Sequence, residues 1–482
     1  MIHFGTDGWR AVIGEEFTFE NVRRVAQAVA DELREQVRGR RPWVVVGYDT
    51  RFLSDRYAAE VASVLGANDV DVAFSKRDCP TPALSYAVAI RQADGGVMVT
   101  ASHSPPCYNG LKLEGPDGGP FPRAMMRRVE DRLARNEEAG REPRRMRWGL
   151  EDGNRAARQG HGAIERFDPL QPYLEQLRSL VDLQAIAQAR TRVVVDPMYG
   201  AGRGYLAALL GGLGCPVREI HGDLNPGFGG VHPEPIARNL QSLVETVLDG
   251  GYDLGLATDG DADRIGAVDA LGLFVNPHRI FALVLQHLVE VRGMRGSVVK
   301  TVSTTQHVDA LCRRYGLPLR ETPMGFDHIA AWMAQGRALI GGEEAGGITI
   351  RGHVPQGDGL LMGLLLLEIV AVRGAPLHVL VDDLDRALGP VCYARDDRRT
   401  RPFRKQDLVA RLLMRAPDRI AGLSVSRVDK GDGVKYYLGE DSWLLIRPSG
   451  SEPLLRMYAE AREQAKAKEL LQAGATLAEQ ML

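Results

Sequence analysis

Residues 43–49 read Trp43-Val44-Val45-Val46-Gly47-Tyr48-Asp49. Four apolar residues in a row, closing on a Gly and an Asp, predict a strand buried on both faces. The phrase returns at Gly96-Val97-Met98-Val99-Thr100, Arg192-Val193-Val194-Val195-Asp196-Pro197 and Asp253-Leu254-Gly255-Leu256-Ala257-Thr258. It returns again at Ser297-Val298-Val299-Lys300 and Ala338-Leu339-Ile340-Gly341-Gly342. Helical patterns of about 10–15 residues lie between these runs. The first helix follows Phe17-Thr18-Phe19-Glu20: Thr18 is placed to cap it, and Val22, Val25, Val29 and Leu33 mark one face. Strand alternating with helix implies βαβ units and parallel sheets. In such sheets ligands bind beyond the carboxyl ends of the strands. The loops that follow these strands are therefore where chemistry is expected.

The chain has 482 residues. That is roughly three domains at about 150 residues each, or four at about 100–150. Apolar residues make up 44% and charged residues 25%, which excludes a globally disordered chain. Net charge is −2, which excludes a strongly basic nucleic-acid binder. An anionic ligand must then be held by local charge. The 54 glycines exceed ordinary usage and point to tight turns or loops where backbone approaches a ligand closely. Cys79, Cys107, Cys215, Cys312 and Cys392 are odd in number and form no CxxC pair. That argues against a disulfide framework or a structural zinc site, and a reducing cytoplasm is the expected setting. Met1 to Arg10 lacks the basic-then-apolar pattern of a signal peptide. The longest aliphatic run, Gly359 to Leu367, stops at Glu368 and is too short to span a bilayer. A buried helix is expected there, and no membrane partner.

Arg135 to Gln171 is rich in Arg, Glu, Gly and Pro and reads as a surface excursion and linker. Arg395 to Arg404 is densely charged and reads as the last linker. The expected domains are 1–150, 165–269, 270–390 and 400–482. The first three share a strand–helix grammar that hints at one repeated topology. The last combines short strand-like pieces with a C-terminal amphipathic helix.

Four loops carry chemistry. Thr100-Ala101-Ser102-His103-Ser104-Pro105-Pro106 places a serine just past a buried strand, with a His beside it and Lys112 ten residues on. It is a candidate nucleophile site, and the alternative is a polar turn. No G-x-S-x-G elbow surrounds it. Asp259-Gly260-Asp261-Ala262-Asp263-Arg264 sets three carboxylates at alternate positions. Hard oxygen ligands of this kind suit Mg²⁺ or Ca²⁺. An EF-hand is excluded, because Arg264 and Ala270 stand at its sixth and twelfth positions. Gly341-Gly342-Glu343-Glu344-Ala345-Gly346-Gly347 offers two glutamates to hydroxyl groups, with glycines that permit close approach. Arg447-Pro448-Ser449-Gly450-Ser451-Glu452-Pro453 combines an Arg, two hydroxyls and turn amides into a phosphate cradle. Nucleophile, metal, hydroxyl and phosphate groups together form a kit for phosphoryl transfer to a sugar. Without a Walker A or kinase-type glycine loop, a nucleotide donor is not indicated, and the serine itself is the expected phosphoryl carrier.

With Phe4-Gly5-Thr6-Asp7-Gly8-Trp9-Arg10, the four loops resemble, in order, the motifs of the α-D-phosphohexomutase superfamily, the phosphoglucomutase and phosphomannomutase enzymes. The resemblance covers essentially the whole chain. It implies three similar α/β mixed-sheet domains plus a smaller C-terminal α+β domain around a central active-site cleft. It implies interconversion of hexose 1-phosphate and hexose 6-phosphate, glucose phosphates first and mannose phosphates second. Phosphorylated Ser102 and a hexose 1,6-bisphosphate are the implied intermediates, with glucose 1,6-bisphosphate as activator. One Mg²⁺ would be held by Asp259, Asp261, Asp263 and a phosphate oxygen on Ser102. Arg10 and Lys112 match basic residues beside the transferring group. Lys112 is the better candidate for proton transfer, with burial lowering its pKa, and His103 orients the loop. Arg264 and Lys300 match positions at the cleft, Glu343 the sugar-hydroxyl acceptor, and Arg447, Ser449, Gly450 and Ser451 the phosphate loop.

There are departures from the pattern. Ser104 replaces the usual Asn, Ala345 the usual Ser, Gly347 a His of some subgroups, and Asp327 a common Lys. With Ala345 the serine hydroxyl is lost, and with it one sugar hydrogen bond, worth roughly 0.5–1.5 kcal/mol. The rival readings are a phosphoglucosamine mutase, whose sugar loop fits Ala345 and Gly347 poorly, a phosphosugar-binding protein without turnover, and a phosphatase. The expected partner is a small phosphosugar, and the expected assembly a monomer or weak homodimer.

Overall fold

A computed structural model describes residues 2–5, 8–449 and 453–482. The six apolar runs form the strands Trp43–Tyr48, Gly95–Val99, Val193–Asp196, Leu254–Thr258, Ser297–Thr301 and Ala338–Gly342, nearly every residue of which is buried. The first helix is Phe19–Gln36, and the Thr18 hydroxyl accepts from the Asn21 N–H as an N-cap should.

The first three sheets repeat one strand order. In the first, Asp71–Ser75, Trp43–Tyr48 and Gly95–Val99 run parallel, and Tyr108–Glu114 adds antiparallel. In the second, Val217–Glu219, Val193–Asp196 and Leu254–Thr258 run parallel, followed by antiparallel Ile265–Asp269. In the third, Leu319–Thr322, Ser297–Thr301 and Ala338–Gly342 are followed by antiparallel Ile348–Ile350. The turn from third strand to antiparallel fourth is thus the same device three times. Its tips are residues 100–107, 259–264 and 343–347, the three loops chosen for their chemistry. The fourth sheet is antiparallel throughout and carries the C-terminal helix Gln464–Met481.

The domain edges differ from the sequence reading. Residues 135–171 are not all linker, because Ile164–Phe167 joins the first sheet parallel to Asp71–Ser75. Only Ile164 and Phe167 of its four residues are buried, too short a pattern to register as a strand. The second sheet runs past 269 to include Phe274–Val275. Residues 395–399 are strand as well: Cys392–Arg399 is the outer strand of the fourth sheet. Its charges are those of a protected edge, with Arg395 paired to Asp397 at 2.8 Å and Arg398 to Asp396 at 2.6 Å.

Helix Gly359–Arg373 is the expected buried helix, capped by Asp358, which accepts from the Leu361 N–H. It joins the second and third domains into one core: a Cβ on Gly363 would lie 3.1 Å from Leu256. Among the described residues no single helix is long and apolar enough to cross a membrane.

Candidate active site

The tips of the first two domains meet at Ser102. Its backbone takes the left-handed conformation, φ 49°, and its N–H donates to Thr100 Oγ1 at 2.9 Å. Ser102 Oγ donates to Asp259 Oδ2 at 2.7 Å and lies 3.2 Å from His103 Nδ1. Contact this close requires glycine behind both loops. A Cβ on Gly260 would stand 2.4 Å from the Ser102 carbonyl oxygen, and one on Gly110 2.5 Å from that of Thr100. The Thr81 N–H donates to the Asp261 carbonyl at 2.9 Å, and its hydroxyl to Asp261 Oδ2 at 2.6 Å. Lys112 Nζ bridges Asp261 Oδ2 at 2.8 Å and Asp263 Oδ2 at 2.7 Å.

These groups are buried, so charge balance decides their state. Burial raises the Asp259 pKa well above the usual carboxylate range, and the like charges of Asp263 and Asp261 add to it. Asp261 is also penalised by burial, but the Lys112 ammonium and the Thr81 hydroxyl overcome this and hold it low. Arg10 is lowered to about 10 by burial and by Arg264, and so stays a cation at neutral pH. Burial, then Arg264 and Arg10, depress His103 far below its ordinary value, so its ring is neutral. The expectation for Lys112 is corrected. Burial does pull its pKa down, but the carboxylates of Asp261 and Asp263 outweigh burial and raise it. In this arrangement Lys112 is a fixed counter-ion to the acidic loop.

The triplet also fits a metal. One carboxylate oxygen from each of Asp259, Asp261 and Asp263 lies within 4.8 Å of the others. Asp261 Oδ1 and Asp263 Oδ1 are buried without a hydrogen-bond partner among the described residues. Buried, orphaned carboxylate oxygens converging on one point are what a hard divalent cation satisfies.

The third and fourth domains connect to this centre in sequence. Arg264 donates its backbone N–H to Asp259 Oδ1 at 3.2 Å. Its side chain offsets charge at Glu343, whose carboxyl burial and Glu344 push up to about 7. Glu343 Oε1 accepts the Gly325 N–H at 3.1 Å. The adjacent Met324 N–H donates to Asp432 Oδ2 at 3.3 Å, and Asp432 holds Arg447 Nε at 2.7 Å. Ser102, the Asp triplet, Arg264, Glu343 and Arg447 therefore lie along one continuous path. The Ser449 N–H donates to the Leu454 carbonyl at 2.8 Å. Gly450 and Ser451 lie outside the described residues, as do Thr6 and Asp7 of the opening motif.

Lys300 is not brought to that path. Fully buried, it donates to the Thr304 and Thr305 carbonyls at 3.2 and 3.1 Å and pairs with Asp309. Its neighbour Glu321 also holds Lys435 of the fourth domain at 3.0 Å, so Lys300 belongs to the junction of the third and fourth domains. Of the departures from the family pattern, Ser104 Oγ accepts from Arg10 at 3.2 Å. Asp327 pairs with Arg123 of the first domain at 3.3 Å.

Sequence reasoning missed Asp49, Arg51 and Thr81. Asp49 and Arg51 directly follow the strand Trp43–Tyr48, the same criterion that selected the other loops, and were legible there. Thr81 opens the helix Thr81–Ile90, and nothing local shows that it faces Asp261.

A buried serine on one domain, an acidic triplet that fits a metal on the next, and Glu343 and Arg447 on two more suit an intramolecular phosphotransferase, an isomerase of phosphorylated sugars. The chain matches the phosphoglucomutase/phosphomannomutase alpha/beta/alpha domain I over residues 1–140, domain II over 171–272, domain III over 276–387 and the C-terminal domain over 408–476. It belongs to the phosphoglucomutase/phosphomannomutase family. It is 34% identical to the phosphoglucomutase/phosphomannomutase of Thermococcus kodakarensis, over 99% of each chain. It is 33% identical to the phosphoglucosamine mutase of Frankia alni, over 97% of this chain and 96% of the relative. A crystal structure from Thermus thermophilus, whose protein carries a provisional phosphomannomutase name, superposes with a TM-score of 0.84 at 36% identity, over 99% of each chain.

Proposed function

We propose that the protein interconverts glucose 1-phosphate and glucose 6-phosphate, with mannose phosphates as second substrates, through phosphorylated Ser102 and a hexose 1,6-bisphosphate. The observation that carries the transfer chemistry is the buried contact of Ser102 Oγ with Asp259 at 2.7 Å. Around it the cations Lys112, Arg10 and Arg264 offset the charge of the acidic loop. A phosphoseryl group of about −1.5 to −2 and one divalent cation would leave that balance nearly unchanged. Asp259, Asp261 and Asp263 would hold Mg²⁺, which when bound neutralises charge on the transferring phosphoryl group.

In the forward step the Ser102 Oγ–P bond breaks as a sugar hydroxyl oxygen bonds to phosphorus; the hydroxyl gives up its proton and the released Ser102 oxygen takes one up. Of Arg10, Lys112 and His103, only His103 is held in a proton-accepting form. The bisphosphate turns over and returns its other phosphoryl group to Ser102. Glu343 accepts the sugar hydroxyls, and Arg447 with Ser449, Gly450 and Ser451 holds the non-reacting phosphate.

Sugar preference rests on residues 343–347. Ala345 brings no hydroxyl, and a Cβ at Gly347 would lie 3.3 Å from the Phe326 ring, so neither position offers a group to an amino substituent. The likeness to a named phosphoglucosamine mutase favours the second reading, in which glucosamine phosphate is the substrate. A coupled assay with Mg²⁺ and a trace of glucose 1,6-bisphosphate, run on glucose, mannose and glucosamine 1-phosphates, separates them by kcat/KM. A glucosamine preference would overturn the proposal. Binding without turnover of any of the three would overturn the mutase reading.

A further inference from the structure

Arg51 lies just past the strand Trp43–Tyr48 and is buried to 3% exposure, yet it touches neither the acidic triplet nor the sugar loop through a hydrogen bond. Its guanidinium instead gathers the backbone of the Ser102 loop. Nη2 donates to the carbonyl oxygens of Ser102 and Ser104, both at 2.6 Å. Nη1 donates to those of Pro105 at 2.9 Å and Tyr108 at 3.0 Å. Four carbonyls of an irregular, half-buried loop converge on one side chain, and only a guanidinium carries enough donors for all of them.

Asp49 closes the bracket from the other side. Its Oδ2 lies 3.2 Å from Arg51 Nε and accepts from Thr100 Oγ1 at 2.6 Å. Thr100 Oγ1 in turn accepts the Ser102 N–H at 2.9 Å. Ser102 is therefore held at its N–H through Thr100 and Asp49, and at its carbonyl through Arg51. The bracket also reaches the second domain. The guanidinium stacks 4.9 Å from the Phe228 ring centre, and the Thr50 hydroxyl donates to the Tyr199 carbonyl at 2.8 Å. One buried cation thus ties the left-handed nucleophile turn to the domain that carries the metal loop.

We infer that Arg51 is a positioning residue for phosphoryl transfer: it keeps Ser102 Oγ directed at Asp259, and without it the phosphoserine faces water as readily as sugar. In the leak, water bonds to phosphorus, the Ser102 Oγ–P bond breaks, the serine oxygen takes a proton and inorganic phosphate leaves. The inference rests on the mutase reading of Ser102.

The test uses the full chain with Arg51→Lys and Arg51→Gly, assayed for kcat, KM, inorganic phosphate released per turnover and thermal melting. A displacement of about 1 Å at a reacting group costs on the order of 100-fold. Arg51→Lys is expected to lose about that much kcat, with KM within threefold and phosphate release per turnover increased. Millimolar guanidinium should restore about tenfold of kcat in Arg51→Gly, which a merely structural role would not produce. A folded Arg51→Lys with kcat within threefold of the parent overturns the inference, as does a loss that follows only the folded fraction. Should neither variant fold, Thr100→Val cuts the link between Asp49 and Ser102 without changing side-chain shape. A drop of about tenfold in kcat at constant KM supports the bracket, and an unchanged kcat refutes it. An inactive parent protein would instead defeat the mutase reading and leave Arg51 no reaction to serve.

Discussion

Thr81→Val should weaken divalent-cation binding without unfolding the protein. The Thr81 hydroxyl donates to Asp261 Oδ2 at 2.6 Å, and Lys112 donates to the same oxygen at 2.8 Å. Together they turn the other oxygen, Oδ1, into a buried position with no hydrogen-bond partner among the described residues. Valine keeps the shape and removes the donor. A hydrogen bond to a charged group is worth about 1.5–3 kcal/mol, a factor of roughly 10–150 at 1.36 kcal/mol per tenfold. Part of that is already expressed as order in the metal-free protein, so the cost in metal affinity falls near the lower end. Outer partners of metal ligands typically carry about 10–100-fold. The measurement is Mn²⁺ binding by electron paramagnetic resonance, beside thermal melting. About a tenfold rise in Kd is expected for Thr81→Val, with Thr81→Ser close to the parent. An unchanged Mn²⁺ Kd in a folded Thr81→Val would refute the claim that the first domain orients the acidic loop of the second.

Ser102→Ala should abolish turnover, whereas Ser104→Ala removes a hydroxyl that accepts from Arg10. The latter costs about 0.5–1.5 kcal/mol and at most about tenfold in kcat/KM, so a complete loss in Ser104→Ala would reassign the nucleophile. In the proposed function Glu343, pushed up to about 7, would accept sugar hydroxyls fully only as a carboxylate. The kcat/KM of the parent should therefore climb as pH rises through about 7, and a Glu343→Gln profile that keeps the same limb would place that titration elsewhere. Gly260→Ala drives a methyl to within 2.4 Å of the Ser102 carbonyl. It should lower stability by about 1–3 kcal/mol through overpacking and cost turnover as well, which melting and the coupled assay would check together.

The strands were legible because a run such as Val44-Val45-Val46 has no other economical home than a sheet covered on both faces. Three of the site loops were legible because they follow such strands. Ile164–Phe167 was not, since four residues among Arg, Gly and Glu carry too little periodicity, and Cys392–Arg399 hid its strand under edge charges. Contacts that close over distance were the other gap. Thr81 and Asp261 are 180 residues apart, and no local pattern joins them. Lys300 and Lys112 show the same limit for charge. Sequence reports that each is a lysine at a strand. It does not report that Asp309 captures one, or that Asp261 and Asp263 outweigh burial at the other.

The three matched hairpins also separate what can change from what cannot. Each tip hangs from its own sheet, and the hydrogen bonds that build the strands do not pass through it. At the third tip Gly346 presses on the second sheet, where a Cβ would lie 2.8 Å from the Ile265 carbonyl oxygen, so that position is fixed. On the function proposed above, a lineage can retune which sugar is accepted at the other positions of this tip, while the strands beneath Ser102 and Asp259 are inherited unaltered. Exchanging that pentapeptide between relatives of different preference should be tolerated where glycine is kept at position 346.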